Sequence, residues 1–224
     1  MKIQVVIALG AFIAIAMGGP SAFAQDRLAP ITPDKYNEAQ RKAAEEFKVA
    51  RGYDVRGPFI PLLRSPEVMT RARAMGDYLR YKTVLGPRLN EMAILITLRE
   101  WTAGYEWAAH YPIALKAGLK KEIADSIGDG RRPSTMAPDE EILYDFSIEI
   151  LRDKRVSDAT YKRAVGAFGE QGVVELLSVH GYYTFLAIVN NATRTCSVQI
   201  ETAACPAWQS LSGATPSALH KFPN

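Results

Sequence analysis

The segment 171–191 constrains the fold of this chain more than any other. It is long, strongly apolar and free of the strict alternation of a strand, which predicts a helix buried at the centre of a bundle. His180, Gly181, Tyr182 and Tyr183 interrupt it. A helix this apolar needs neighbours that cover it, and the rest of the chain offers a series of helical stretches separated by glycine and proline.

Residues 35–51 follow the start signal Thr32-Pro33-Asp34, and Gly52 ends them. Residues 57–63 read as an apolar loop. Ser65 at the N-cap and Pro66 in the first turn open a helix that runs to about Lys82. Leu85-Gly86-Pro87 is a break. Over 88–102 the positions Ile94, Leu95, Leu98 and Trp101 recur at helical spacing, and Gly104 then interrupts. A further helix covers 105–117 with Pro112 inside it, and Gly118 caps it. Residues 120–127 form a short helix and 128–138 a loop. Residues 139–153 and 158–168 are two more amphipathic helices. With no strand pattern and no repeats, the expected class is all-α, a single-domain helical bundle. A hydrophobic content of 48% over 224 residues is enough for one sizeable core.

The chain begins with an export signal. Lys2 is followed by an apolar run over 5–17, a Gly18-Gly19-Pro20 break and the small-x-small pattern Ala22-Phe23-Ala24. The run is too short to span a bilayer, which takes about 20 residues. Residues 1–24 are therefore expected to be a signal peptide and the mature protein to be secreted or periplasmic, with no membrane association after cleavage. In an oxidising compartment Cys196 and Cys205 are expected to form a disulfide that pins the irregular tail 193–224. The net charge of +3 carries no clustered basic stripe, which argues against a nucleic-acid partner.

The best site candidate is Glu106-Trp107-Ala108-Ala109-His110 read with Glu91. Glu106 and His110 are four apart and share one helix face. Two carboxylates and an imidazole in apolar sequence are acid/base groups. On one straight helix Glu91 and Glu106 would stand roughly 22 Å apart. A shared site therefore needs the chain to turn near Ala103-Gly104, or a neighbouring subunit to supply one group. A structural ion pair is the competing reading, for Glu91 with Arg88 or Arg99. The Glu-x-x-x-His spacing is not the Glu-x-x-His of di-iron bundles, so no metal is expected. Arg80 is a candidate anchor for an anionic substrate. Tyr105 and Trp107 are candidate walls of an apolar pocket. His180 is a candidate pocket residue whose simpler reading is a satisfied core histidine.

These motifs resemble the carboxymuconolactone decarboxylase family, which includes the alkylhydroperoxidase D-like proteins. The matching features are Gly57-Pro58-Phe59, Pro61-Leu62-Leu63, Ser65-Pro66-Glu67, Glu91 in its apolar helix, Tyr105-Glu106-Trp107-Ala108-Ala109-His110, and 114–119. The resemblance covers roughly 55–192, with 25–54 as an N-terminal leader and helix ahead of it. It implies an all-α bundle of that type, a homo-oligomer (trimer or hexamer), no cofactor, and the acid/histidine pair Glu91 and His110. The hydroperoxidase branch carries two cysteines where this chain has Ala103 and Glu106. Thiolate is the nucleophile of that chemistry, so the dithiol route is disfavoured. The decarboxylase branch fits better and implies acid/base turnover of a small carboxylated or lactone metabolite. The alternative is a non-catalytic small-molecule binding protein on the same scaffold, which export favours.

Overall fold

The computed structural model describes residues 26–195, and those residues contain no strand. The expected signal segment and both cysteines lie outside the described residues. After a short 3-10 turn, Pro33–Lys35, eight α-helices follow among the described residues: α1 Glu38–Arg51, α2 Phe59–Leu62, α3 Pro66–Tyr81, α4 Gly86–Glu100, α5 Gly104–Lys116, α6 Lys121–Gly128, α7 Pro138–Ile148 and α8 Asp158–Thr193. The all-α expectation holds.

Local chemistry sets the ends. The first long helix starts at Glu38 rather than residue 35. Asn37 accepts from the Gln40 backbone N–H while the Gln40 side chain accepts from the Asn37 N–H, a reciprocal cap that outweighs the Thr-Pro-Asp signal upstream. The expected loop 57–63 contains the single turn α2. Residues 139–153 are not one α-helix: α7 ends at Ile148 and widens into a π-turn, Glu149–Asp153. The Glu149 carboxylate accepts from the Ser157 N–H and the Thr160 hydroxyl at the start of α8, so it links the two helices.

The two helices expected at 158–168 and 171–191 are joined across a kink at Gly169. α8 is long and apolar enough, by length and composition, to cross a membrane, yet 56% of its most apolar stretch is buried in the bundle. α4 is buried along almost its whole length and packs against α5, α6, α7 and α8. Core Phe47 of α1 is fully buried, with its ring against Phe59 of α2 and Tyr53. α1 also packs on α3, so the boundary placed at residue 55 does not divide the core.

Candidate functional site

α4 ends at Glu100, Thr102 takes a left-handed conformation at φ 49°, and α5 then folds back along α4. Gly104 was expected to make this turn. It is instead the first residue of α5, with no positive φ. The reversal brings Glu91 and His110 together within one chain. Glu91 Oε2 lies 2.7 Å from His110 Nδ1, and both residues are buried. A carboxylate at Nδ1 favours the tautomer with its proton there and leaves Nε2 as the free lone pair. On that side Glu106 Oε2 lies 3.8 Å away. Glu91 therefore stands behind the imidazole and Glu106 in front of it.

Glu106 is held by a residue the sequence reading missed: Asn190 Nδ2 of α8 donates to Glu106 Oε1 at 3.1 Å. Burial raises the Glu106 carboxyl above its ordinary range, against the smaller lowering pull of His110 and Asn190. Asn190 had a signal in the sequence. It lies four residues beyond Leu186 and eight beyond Tyr182, on one helical stripe, and Tyr182 and Leu186 both line the same cavity.

That cavity, about 340 Å³, is the space in front of the imidazole. His110, Glu106 and Tyr183 form one part of its wall, and Tyr105 closes another. The Tyr183 ring stands edge-on to His110 at 5.0 Å. Two glycines make room for its aromatics. A Cβ on Gly57, which has φ 59°, would lie 2.7 Å from the Tyr105 ring, and one on Gly76 would lie 2.1 Å from the Tyr182 hydroxyl.

The cavity is also cationic. Arg51, Arg56 and Arg80 line it, and Arg51 comes from the segment ahead of the expected domain. Arg51 is committed: its Nε is 2.6 Å from Asp77 Oδ1, and its guanidinium lies over the Phe47 and Phe59 rings. Arg56 stacks on the Tyr53 ring at 3.7 Å. Arg80 has no ion pair among the described residues, and its Nε is buried with no hydrogen-bond partner. Its guanidinium lies 5.3 Å from the centroid of the Tyr81 ring.

Two expected pocket residues lie elsewhere. Trp107 is buried beside Tyr111 and against Gly128, off the cavity wall, because it points to α6 from the other side of α5. His180 faces α4, where its Nδ1 lies 2.8 Å from Thr97 Oγ1, and burial depresses its pKa to about 3. It is a core histidine bonded at Nδ1 alone, whereas the simpler reading expected it to be satisfied: its Nε2 is buried with no hydrogen-bond partner among the described residues.

Comparisons with known proteins agree with this architecture. A solved structure described as the alkylhydroperoxidase AhpD core, an uncharacterized peroxidase-related protein from Ralstonia eutropha, has a TM-score of 0.64 at 16% identity, covering 78% of this chain and 93% of that one. An uncharacterized peroxidase-related protein from a Silicibacter species has a TM-score of 0.62 at 15% identity, covering 78% and 92%. No protein-family model matches the chain, and no curated protein matches it. The likeness establishes an alkylhydroperoxidase D-like helical fold.

Proposed function

We propose that this protein is a cofactor-free acid/base enzyme, of carboxymuconolactone decarboxylase-like type, acting on a small carboxylated or lactone metabolite. The observation that carries the reading is the stack Glu91, His110, Glu106 opening onto an arginine-lined cavity. Arg80, whose Nε lacks a hydrogen-bond partner, is the anchor for a substrate carboxylate. Tyr105, which also lines the cavity, orients the substrate. In a decarboxylation the C–C bond to the leaving carboxylate breaks and carbon dioxide departs. The electron pair stays on the substrate and is quenched by a proton from the Glu106 carboxylic acid, whose raised pKa keeps that proton available. His110 returns a proton to Glu106 from solvent, and Glu91 stabilises the imidazolium formed in passing.

The dithiol peroxidase route lacks support here. Glu106 occupies the position of one expected thiol, and Ala103, buried at the start of α5, occupies the other. Export, a disulfide between Cys196 and Cys205 and a homo-oligomeric state belong to the same proposal.

The test is turnover of a panel of small lactone acids, read as carbon dioxide release or ring opening, by the protein and by His110→Ala. The expected result is turnover that falls by roughly 10²–10⁴ in the variant with helicity retained. Turnover unchanged in the variant overturns the proposal. So does saturable binding of a lactone acid without turnover, which would make the chain a binding protein on this scaffold.

A further inference from the structure

The cavity wall holds a buried polar group that the acid/base stack leaves unused. Tyr183 keeps only 1% of its surface, and its hydroxyl has no hydrogen bond among the described residues. A buried phenol normally finds a partner. Those of Tyr78 and Tyr111 donate to Glu175 and Asp125. A desolvated hydroxyl without one costs free energy and calls for a physical reason. The Tyr183 oxygen is not sealed into the protein as His180 Nε2 and Asn190 Oδ1 are, so it carries part of the surface the residue keeps. Tyr183 lines the cavity, and that surface therefore lies on the cavity wall. Tyr182 also lacks a partner, but its hydroxyl fills the notch beside Gly76 of α3.

Packing fixes where the Tyr183 hydroxyl stands. Its ring is edge-on to His110 at 5.0 Å and to Tyr182 at 5.3 Å, so it cannot swing away from the acid/base groups. Burial raises the phenol well above its ordinary value, against a smaller lowering pull from Arg80. It therefore stays an O–H donor across the range in which carboxylates and imidazoles titrate. A fixed, desolvated donor near a cation suits an oxygen that gains charge during a reaction, because no water has to reorganise around it. Arg51 is committed to Asp77, and Arg80 is the proposed carboxylate anchor, which leaves Tyr183 for such an oxygen.

Resting on the lyase reading, we propose that Tyr183 is a catalytic residue whose hydroxyl donates to a carbonyl oxygen of the substrate. The substrate is accordingly an acid whose departing carboxylate lies β to a lactone or ketone carbonyl, directly or through one double bond. As the C–C bond breaks and carbon dioxide leaves, the electron pair moves onto that oxygen as an enolate. The Tyr183 O–H holds the enolate oxygen and keeps its own proton. Glu106 then delivers a proton to carbon, and the electron pair on oxygen rebuilds the carbonyl.

Tyr183→Phe tests it, since it removes one oxygen and keeps the ring against His110. The hydroxyl has no partner in the protein, so Tm is expected to be no lower than in the wild type. Equilibrium binding of 4-nitrophenolate, a planar oxyanion standing in for the enolate, is then compared in the two proteins. Affinity is expected to fall roughly 10- to 100-fold in the variant, the scale of a hydrogen bond to a charged group. On the lactone-acid panel kcat is expected to fall roughly 10²–10³-fold, with a smaller change in KM. The phenolate measurement needs no turnover, so the two readings fail separately. Weakened phenolate binding in a protein that turns over no lactone acid would overturn the lyase reading and leave Tyr183 as the donor to a bound oxyanion. Phenolate affinity unchanged in Tyr183→Phe overturns the inference whatever the turnover shows. So do a wild type that binds no phenolate, full kcat in the variant, or a lowered Tm, which would give the hydroxyl a structural partner.

Discussion

Glu106 is a carboxyl with almost no water around it, one amide donor and one imidazole. Its raised pKa makes the protonated form the comfortable one, and this has a consequence for stability. A carboxyl whose folded pKa exceeds its unfolded value near 4.5 gives stability that is complete below that pH and is lost as pH rises through the folded value. Glu106→Gln keeps the acceptor for Asn190 and removes the ionisation. The variant is expected to match the wild type in Tm at pH 4 and to exceed it increasingly as pH rises, with the proposed turnover abolished. Parallel Tm curves across the range would show that burial does not hold Glu106 protonated. The acid/base residues were legible in the sequence because Glu106 and His110 share a helix face within apolar surroundings. Trp107 and His180 show the limit of that reasoning. Periodicity gives the face a side chain occupies on its own helix, and leaves open which neighbour meets that face.

At the scale of the element, the turn between α4 and α5 determines whether a site exists at all. Its left-handed residue is Thr102, a β-branched side chain at φ 49°. Such residues rarely adopt this region, because Cβ crowds the neighbouring carbonyl. Thr102→Gly is expected to stabilise the fold by about 1 kcal/mol, the relief of left-handed strain less the entropy glycine adds to the unfolded chain. Chemical denaturation reads this directly, and a loss of stability would place a tertiary role on the threonine side chain. The requirement for a turn near residues 103–104 was readable from the distance between Glu91 and Glu106. Its geometry was not, since a glycine next to the bend is a stronger sequence signal than a threonine within it. The π-turn after α7 escaped the sequence for a related reason. Its cause is the carboxylate of Glu149 reaching Ser157 and Thr160, a contact between elements that no single-helix pattern records.

Across the whole molecule, α1, the strip that follows it and α3 supply the cationic wall of a cavity whose acid/base groups come from α4 and α5, with α8 closing it behind. Treating 25–54 as a leader hid Arg51, and Arg56 went unmarked because the matching motifs begin only at Gly57. A second long-range tie holds α8 in place. Glu175 of α8 accepts from the Tyr78 hydroxyl at the end of α3, from the Thr83 hydroxyl and Val84 N–H in the α3–α4 connection, and from Gln171. Burial alone would raise its pKa, yet these donors pull it down to about 2. A carboxylate with a depressed folded pKa gives stability that is present above its unfolded value and lost as pH falls through the folded one. Here the window runs from about 4.5 down to about 2. Glu175→Gln sets an amide NH₂ against either the Gln171 NH₂ or the Val84 N–H, neither of which can accept from it. It is expected to cost about 2 kcal/mol at pH 7, the scale of hydrogen bonds to a charged group. Urea unfolding of both proteins between pH 7 and pH 2 should show the gap closing through that window, as the wild-type carboxylate takes up its proton and loses the same donors. A gap that stays constant to pH 2 would mean that packing around Glu175, and not its charge, joins α8 to α3 and α4.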